Sequence, residues 1–140
     1  LIIKARKLTS DAIIPTRGRE ADAGWDLYSL NKVTVTGNSV KLIATGIALE
    51  IPPGHFGLLK PRSGFAVNNQ ANVTAGVIDS EYRGEVRIAV LNSTQGPIKI
   101  EPRDRIAQLV VLKIPKTEMV EVQELGESDR GEKGFGSSGE

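Results

Sequence analysis

Gly76-Val77-Ile78-Asp79-Ser80-Glu81-Tyr82-Arg83-Gly84-Glu85-Val86-Arg87-Ile88-Ala89-Val90 reads as a β-hairpin. Residues 74–78 are small and β-branched, and residues 80–84 have the composition of a turn. From Glu85 onward, apolar side chains recur at Val86, Ile88 and Val90, the period of a half-buried strand. Asp79 is the odd residue. A carboxylate directly after Val77 and Ile78, at the mouth of a dry hairpin, is costly to desolvate unless it is paired or in use. It is either a turn aspartate bonding its own backbone or a group held for chemistry.

Working outward, the chain shows the same punctuation on both sides. Leu1-Ile2-Ile3-Lys4-Ala5-Arg6 suits a first strand, and Ala23-Gly24-Trp25-Asp26-Leu27-Tyr28-Ser29 a second. If extended, the second sets Trp25, Leu27 and Ser29 opposite Asp26 and Tyr28, with Asp26 facing solvent in the simplest case. Val33-Thr34-Val35 and Val40-Lys41-Leu42-Ile43 flank Gly37-Asn38-Ser39, which reads as a hairpin loop. Ile47-Ala48-Leu49-Glu50-Ile51 alternates until Pro52-Pro53-Gly54 stops it. Phe56-Gly57-Leu58-Leu59-Lys60, Ile98-Lys99-Ile100 and the run from Arg103 to Leu112, which begins charged and turns apolar, add further strands, and Met119-Val120-Glu121-Val122 alternates and ends the regular structure. Many short strands between turn signals predict an all-β sandwich or barrel. The one helical signal is Phe65-Ala66-Val67, behind Pro61 and a capping Ser63.

Composition limits what this domain does. At 140 residues one domain is expected, long enough to bury a real core. Eighteen basic and 17 acidic residues leave a net charge of +1, so no global field draws nucleic acid or an anionic membrane. Aromatics are 4% of the chain, too few for a base-stacking platform. There is no cysteine, which excludes disulfides, thiol nucleophiles and thiolate metal sites. The single histidine, His55, sits in an apparent turn and excludes a histidine-rich metal site; a Ser–His–Asp hydrolase is disfavoured. No Walker-type phosphate loop occurs. No apolar run approaches membrane-spanning length and no signal-peptide pattern opens the chain, so a soluble intracellular protein is expected.

Three further places carry chemistry. Pro61-Arg62-Ser63-Gly64 sets free backbone amides at a helix start beside a guanidinium and a hydroxyl, a small anion site. Gln108 interrupts the apolar run 106–112, as an amide bonding neighbouring backbone or as one facing a ligand. The tail 127–140 has too few apolar residues to build a core, so it is expected to be flexible. Yet it sets Phe135 between two glycines, follows it with Ser137 and Ser138, and carries Arg130. A ring, hydroxyls and a guanidinium on flexible backbone suit a lid over a nucleoside triphosphate.

Five of these stretches resemble, in order and approximate spacing, the motifs of the trimeric dUTP pyrophosphatases (dUTPases). They are residues 23–29, 61–64, 76–84, 105–109 and 130–139, so the likeness covers almost the whole chain. It implies a distorted jelly-roll β-barrel with one short helix over 1–126, and a flexible C-terminal arm over 127–140. It implies a homotrimer with shared active sites. The implied reaction is Mg2+-dependent hydrolysis of dUTP to dUMP and diphosphate, lowering dUTP and supplying dUMP for thymidylate synthesis.

Residue by residue, Asp79 matches the carboxylate that orients and deprotonates the water attacking the α-phosphorus. Tyr82 matches the ring against the deoxyribose. Gly76, Val77, Ile78 and the backbone at Arg87 match a slot reading uracil through main-chain hydrogen bonds. Arg62, Ser63 and Gly64 match a phosphate-binding turn from a neighbouring subunit, and Gln108 an amide near the phosphates. Asp26 matches an acidic residue supporting the metal–water network without direct ligation. Arg130 matches the arginine on the γ-phosphate, Phe135 the ring over uracil, and Gly136, Ser137 and Ser138 donors to the terminal phosphates. The departures are Trp25, Glu81, Phe65, Arg103 where glycine is frequent, and Lys133. Of these, Arg103 and Lys133 add charge at a turn and in the arm. Two alternatives share the fold: a regulatory or interaction protein with little turnover, and a dCTP deaminase. Retention of Asp79, Tyr82, Arg130 and Phe135 favours an active dUTPase.

Overall fold

The computed structural model describes residues 1–137 and 139, and among these it has ten strands and one short helix. In chain order the strands are β1 (Lys4–Lys7), β2 (Gly24–Tyr28), β3 (Val33–Val35), β4 (Ser39–Glu50) and β5 (His55–Pro61). The helix α1 (Ser63–Asn69) follows. Then come β6 (Ala71–Thr74), β7 (Val77–Ile78), β8 (Glu85–Asn92), β9 (Ile98–Ile100) and β10 (Arg105–Lys113). Two antiparallel four-stranded sheets, ordered β1-β4-β8-β6 and β2-β10-β5-β7, and a β3-β9 pair build a jelly-roll-type all-β fold. No helix among the described residues is long and apolar enough to cross a membrane.

Period-two patterning sets the core. Val86, Ile88 and Val90 of β8 are buried with Ile43 and Ile47 of β4, and join Leu27, Leu59, Ile106 and Leu109 of the second sheet in one cluster. Each such side chain contributes roughly 1.5–3 kcal/mol on burial. Among the buried polar side chains, Asn92 is fully satisfied. Its Nδ2 donates to the carbonyls of Val35, Thr36 and Gly96, and its Oδ1 accepts from the N–H and hydroxyl of Thr94.

Several expectations are corrected. Residues 76–90 are not a paired hairpin: β7 pairs with β5, whereas β8 pairs with β4 and β6. The chain leaves the first sheet through Ala75 and Gly76, both at positive φ (58° and 104°), and Leu59 N–H donates to the Gly76 carbonyl. A Cβ on Gly76 would stand 3.0 Å from the Leu59 carbonyl oxygen, so glycine is required there by conformation and by space. Nor do β3 and β4 pair; β3 pairs with β9, and Asn92 ties the intervening turn to the end of β8. Residues 47–50 are not a separate strand but the end of a long β4, kinked where its register with β8 shifts between Ala44 and Ala48. Residues 119–122 form no strand, and Met119, Val120 and Val122 lie exposed among the described residues. Ser63 is the first residue of α1 rather than its cap; Arg62 is the N-cap and makes no side-chain cap bond. Arg103 keeps a left-handed turn (φ 71°), its N–H donating to the Ser29 carbonyl.

Candidate functional site

Two clefts hold most of the expected site residues. The first is a slot of about 340 Å³ lined by Leu42, Leu59, residues 75–79, Tyr82 and residues 85–87. Strand pairing explains why it exists. β7 is an edge strand, bonded to β5 on one side. The first half of β8 is bonded to β4, and β6 reaches no further along β8 than Thr74 opposite Ala89. Two half-used strand edges therefore border one cavity, with no strand between them. Backbone donors and acceptors left this way are free to pair with a ligand that offers both.

At the mouth of the slot, Tyr82 N–H donates to the Asp79 carbonyl, closing a turn, and Tyr82 Oη donates to the Glu85 carbonyl at 2.8 Å. Glycine at 84 makes room for the ring: a Cβ there would lie 2.6 Å from Tyr82 Cζ. The Asp79 side chain is exposed in the single chain, so the dry, desolvated setting expected for it is not there. The separation of β7 from β8 opens that corner to water. Gly76, Val77, Ile78, Tyr82 and Arg87 all border this slot, as expected.

The second cleft, about 420 Å³, is a polar cradle lined by Asp26, Arg62, Ser63, Gly64, Gln108 and Arg105, with Gly18, Asp22, Ala23 and Gly24. Asp26 does not simply face solvent. Its Oδ1 lies 2.9 Å from Arg62 Nε and its Oδ2 3.4 Å from Arg105 NH1. Antiparallel pairing of β2 with β10 sets Asp26 opposite Gln108, and β10 with β5 sets Gln108 opposite Lys60. Gln108 Nε2 donates to the Pro61 carbonyl at 3.2 Å, so this amide both braces the strand end and borders the cradle. Gly24 leaves its space free, since a Cβ there would overlap Gln108 Oε1. The cradle thus presents two guanidiniums, of Arg62 and Arg105, and two carboxylates, of Asp26 and Asp22, so it is balanced in charge, and the guanidiniums are its groups suited to phosphate oxygens.

The chain does not bring slot and cradle into one cavity. Arg130, Phe135, Gly136 and Ser137 line neither; Phe135 is fully exposed, and Arg130 Nε donates to the Lys133 carbonyl within the tail. Ser138 lies outside the described residues. Sequence reasoning missed Arg105 as part of the cradle, although it opens the run containing Gln108. It also missed Leu42 and Leu59 as slot walls, because each reads as an ordinary strand residue.

The family model described as dUTPase matches residues 10–139. A deoxyuridine 5'-triphosphate nucleotidohydrolase of Clostridioides difficile is 42% identical over 139 residues, spanning 98% of this chain and 97% of that protein. That of Helicobacter hepaticus is 43% identical over 139 residues, spanning 98% and 88%. A Staphylococcus bacteriophage 80alpha dUTPase solved with dUpNHpp superposes with a TM-score of 0.91 at 31% identity, covering 99% of this chain and 98% of that one. The dUTPase of S. aureus phage phi11, solved with a structural Mg(II) ion, gives 0.82 at 27% identity over 89% and 98%. A match of this extent, on a fold with a backbone-edged slot beside Asp79 and Tyr82, means that the chain belongs to the dUTPase family.

Proposed function

We propose that this chain hydrolyses dUTP to dUMP and diphosphate, and that three copies assemble to do so. The observation that carries the proposal is the slot itself: two half-used strand edges around about 340 Å³, with Asp79 and Tyr82 at the mouth, in a chain of the dUTPase family. Uracil offers adjacent acceptors and a donor to such edges. Cytosine reverses the pattern at its 4-amino group and leaves buried groups unpaired, at about 1–3 kcal/mol each. The narrow walls, with Leu42 and Leu59 among them, exclude the 5-methyl of thymine by bulk rather than by polarity. Tyr82 packs on the deoxyribose and leaves no space for a 2'-hydroxyl.

Asp79 takes a proton from the attacking water. The water oxygen bonds to the α-phosphorus, the bond from that phosphorus to the α–β bridging oxygen breaks, and diphosphate leaves. Arg62, Ser63, Gly64 and Gln108 hold the phosphates from a neighbouring subunit. Three features support the sharing. Slot and cradle are separate clefts of one chain. The apolar side chains of Met119, Val120, Val122 and Leu125 lack cover. Residues 127–137 make no hydrogen bond to the barrel among the described residues. The arm 127–140 then reaches another subunit's slot, where Phe135 stacks on uracil and Arg130, Gly136, Ser137 and Ser138 meet the outer phosphates.

The residues present fit Mg2+ carried on the triphosphate. Among the described residues no group of three or more His, Cys, Asp or Glu could cage an ion. Mg2+ is characteristically held by one or two carboxylates, water and substrate phosphates, and Asp26 would be the carboxylate to support it through water. When bound, Mg2+ neutralises charge on the phosphate oxygens.

The test is diphosphate release from dUTP, dCTP, dTTP and UTP, with and without Mg2+. The expected result is Mg2+-dependent turnover of dUTP alone at high rate; equal rates on all four would overturn the slot assignment.

A further inference from the structure

Glu85 has a carboxylate that the reaction does not use, yet its side chain is only 18% exposed and makes two bonds. Its Oε2 accepts from Gly46 N–H at 3.1 Å and its Oε1 from Arg87 Nε at 2.9 Å. Gly46 lies in the kink of β4, at φ 69°, where residues 45–47 stand against Val86 alone. The ladder is broken there, and side chains repair it. Thr45 Oγ1 donates to the Val86 carbonyl at 2.6 Å, and the Glu85 carboxylate satisfies Gly46 N–H.

The consequence runs back to the slot. The backbone carbonyl of this same Glu85 receives the Tyr82 hydroxyl at 2.8 Å. Tyr82 itself is 47% exposed, and its hydroxyl end lies beside Gly84. The residue whose carbonyl fixes its outer end pairs with Ala48 of β4 through its backbone, and its carboxylate is clamped to Gly46 of β4 on one side and to Arg87, a slot residue, on the other.

We propose that Glu85 is a positioning residue for sugar selection: its grip on Gly46 N–H and Arg87 fixes the carbonyl on which Tyr82 rests, and so sets how strictly a 2'-hydroxyl is refused. This rests on the reading of Tyr82 as the ring against the deoxyribose. A bond that holds a specificity group acts on the ratio between two substrates rather than on the chemical step.

The test compares kcat/KM for dUTP with that for UTP in the assembled wild-type protein and in Tyr82→Ala, Tyr82→Phe, Glu85→Ala, Glu85→Gln and the Tyr82→Phe/Glu85→Ala double variant. Thermal unfolding of each is measured alongside. Glu85→Ala is expected to lower the dUTP:UTP ratio by at least about tenfold, the size of one charge-assisted hydrogen bond carried to the ring, with kcat on dUTP changed far less. The double variant is expected to be no worse than the poorer single variant, because both changes cut one linkage. Glu85→Gln keeps one acceptor oxygen on a side chain of the same shape and is expected to fall in between; it carries the test if the alanine variant does not fold. A lower Tm with an unchanged ratio in both Glu85 variants, while Tyr82→Ala collapses the ratio, would make Glu85 a purely structural brace and overturn the inference. An unchanged ratio in Tyr82→Ala would instead remove Tyr82 from sugar selection, and the inference with it.

Discussion

Asp26→Asn removes one charge from the cradle and keeps the side chain's shape. Its effect is set by two pairs of unequal quality. Asp26 Oδ1 meets Arg62 Nε at 2.9 Å, whereas Oδ2 meets Arg105 NH1 at 3.4 Å. The side chains are 19% exposed for Asp26, 34% for Arg62 and 52% for Arg105. Exposed pairs are worth about 0.2–1 kcal/mol, and breaking a fully buried one costs about 3–5 kcal/mol. The Arg62 pair lies between these limits, at about 1.5 kcal/mol, and the longer, wetter Arg105 pair near the lower one, at about 0.5 kcal/mol. Asp26→Asn should therefore destabilise the fold by about 2 kcal/mol, a fall in Tm of roughly 7 °C for a chain of this length. Urea denaturation of Asp26→Asn, Arg62→Gln, Arg105→Gln and the two double variants separates the pairs. Coupling of Asp26 with Arg62 is expected at about 1 kcal/mol or more, and with Arg105 below about 0.5 kcal/mol and more salt-sensitive. A reversed order, or an Asp26→Asn variant within about 0.3 kcal/mol of the parent, would refute this weighting.

Two further outcomes follow from the surface. Lys4 donates to Glu50 Oε1 at 2.9 Å, and that hydrogen bond and the Lys4 charge hold the Glu50 carboxyl below its ordinary range. A depressed folded-state pKa stabilises above the unfolded pKa and stops doing so as pH falls through the folded one. Glu50→Gln should thus lower Tm slightly at neutral pH, and the gap to the parent should close in acid; a gap that widens in acid would contradict the sign. Deleting residues 130–140 should leave Tm within about 2 °C of the parent, since no bond from this segment to the barrel is present among the described residues, while turnover of dUTP falls sharply. Unchanged kinetics in the truncated chain would exclude the arm from catalysis.

Much of this was legible in the sequence because period-two burial is a local property. Val86, Ile88 and Val90 announce a half-buried strand, and they are buried. Which strand pairs with which is not local. The alternation on either side of residues 79–84 is the same whether β7 and β8 bond each other or part, and the deciding feature is the bend at Ala75 and Gly76 under Leu59. The parting of those strands is also what makes the slot, so the slot is legible through the family resemblance at residues 76–78 and 87 and not through the alternation itself. Arg105 escaped notice for a similar reason. It lies 79 residues from Asp26 in the chain, and only the register of β2 against β10 brings the two together. The apolar alternation at 119–122 suggests a strand, yet among the described residues it pairs with none. The motifs at 61–64 and 76–84 point to residues that border the two clefts, because their chemistry is carried by side-chain type and by glycine, which sequence states directly.

The most direct measurement is turnover and nucleotide binding by Asp79→Asn, in the same preparation. With Asp79 as the base that takes the proton from water, kcat on dUTP should fall by about 10²–10⁴-fold, while affinity for the nucleotide stays near that of the parent. A variant that turns over dUTP at the parent rate would contradict the account at its centre.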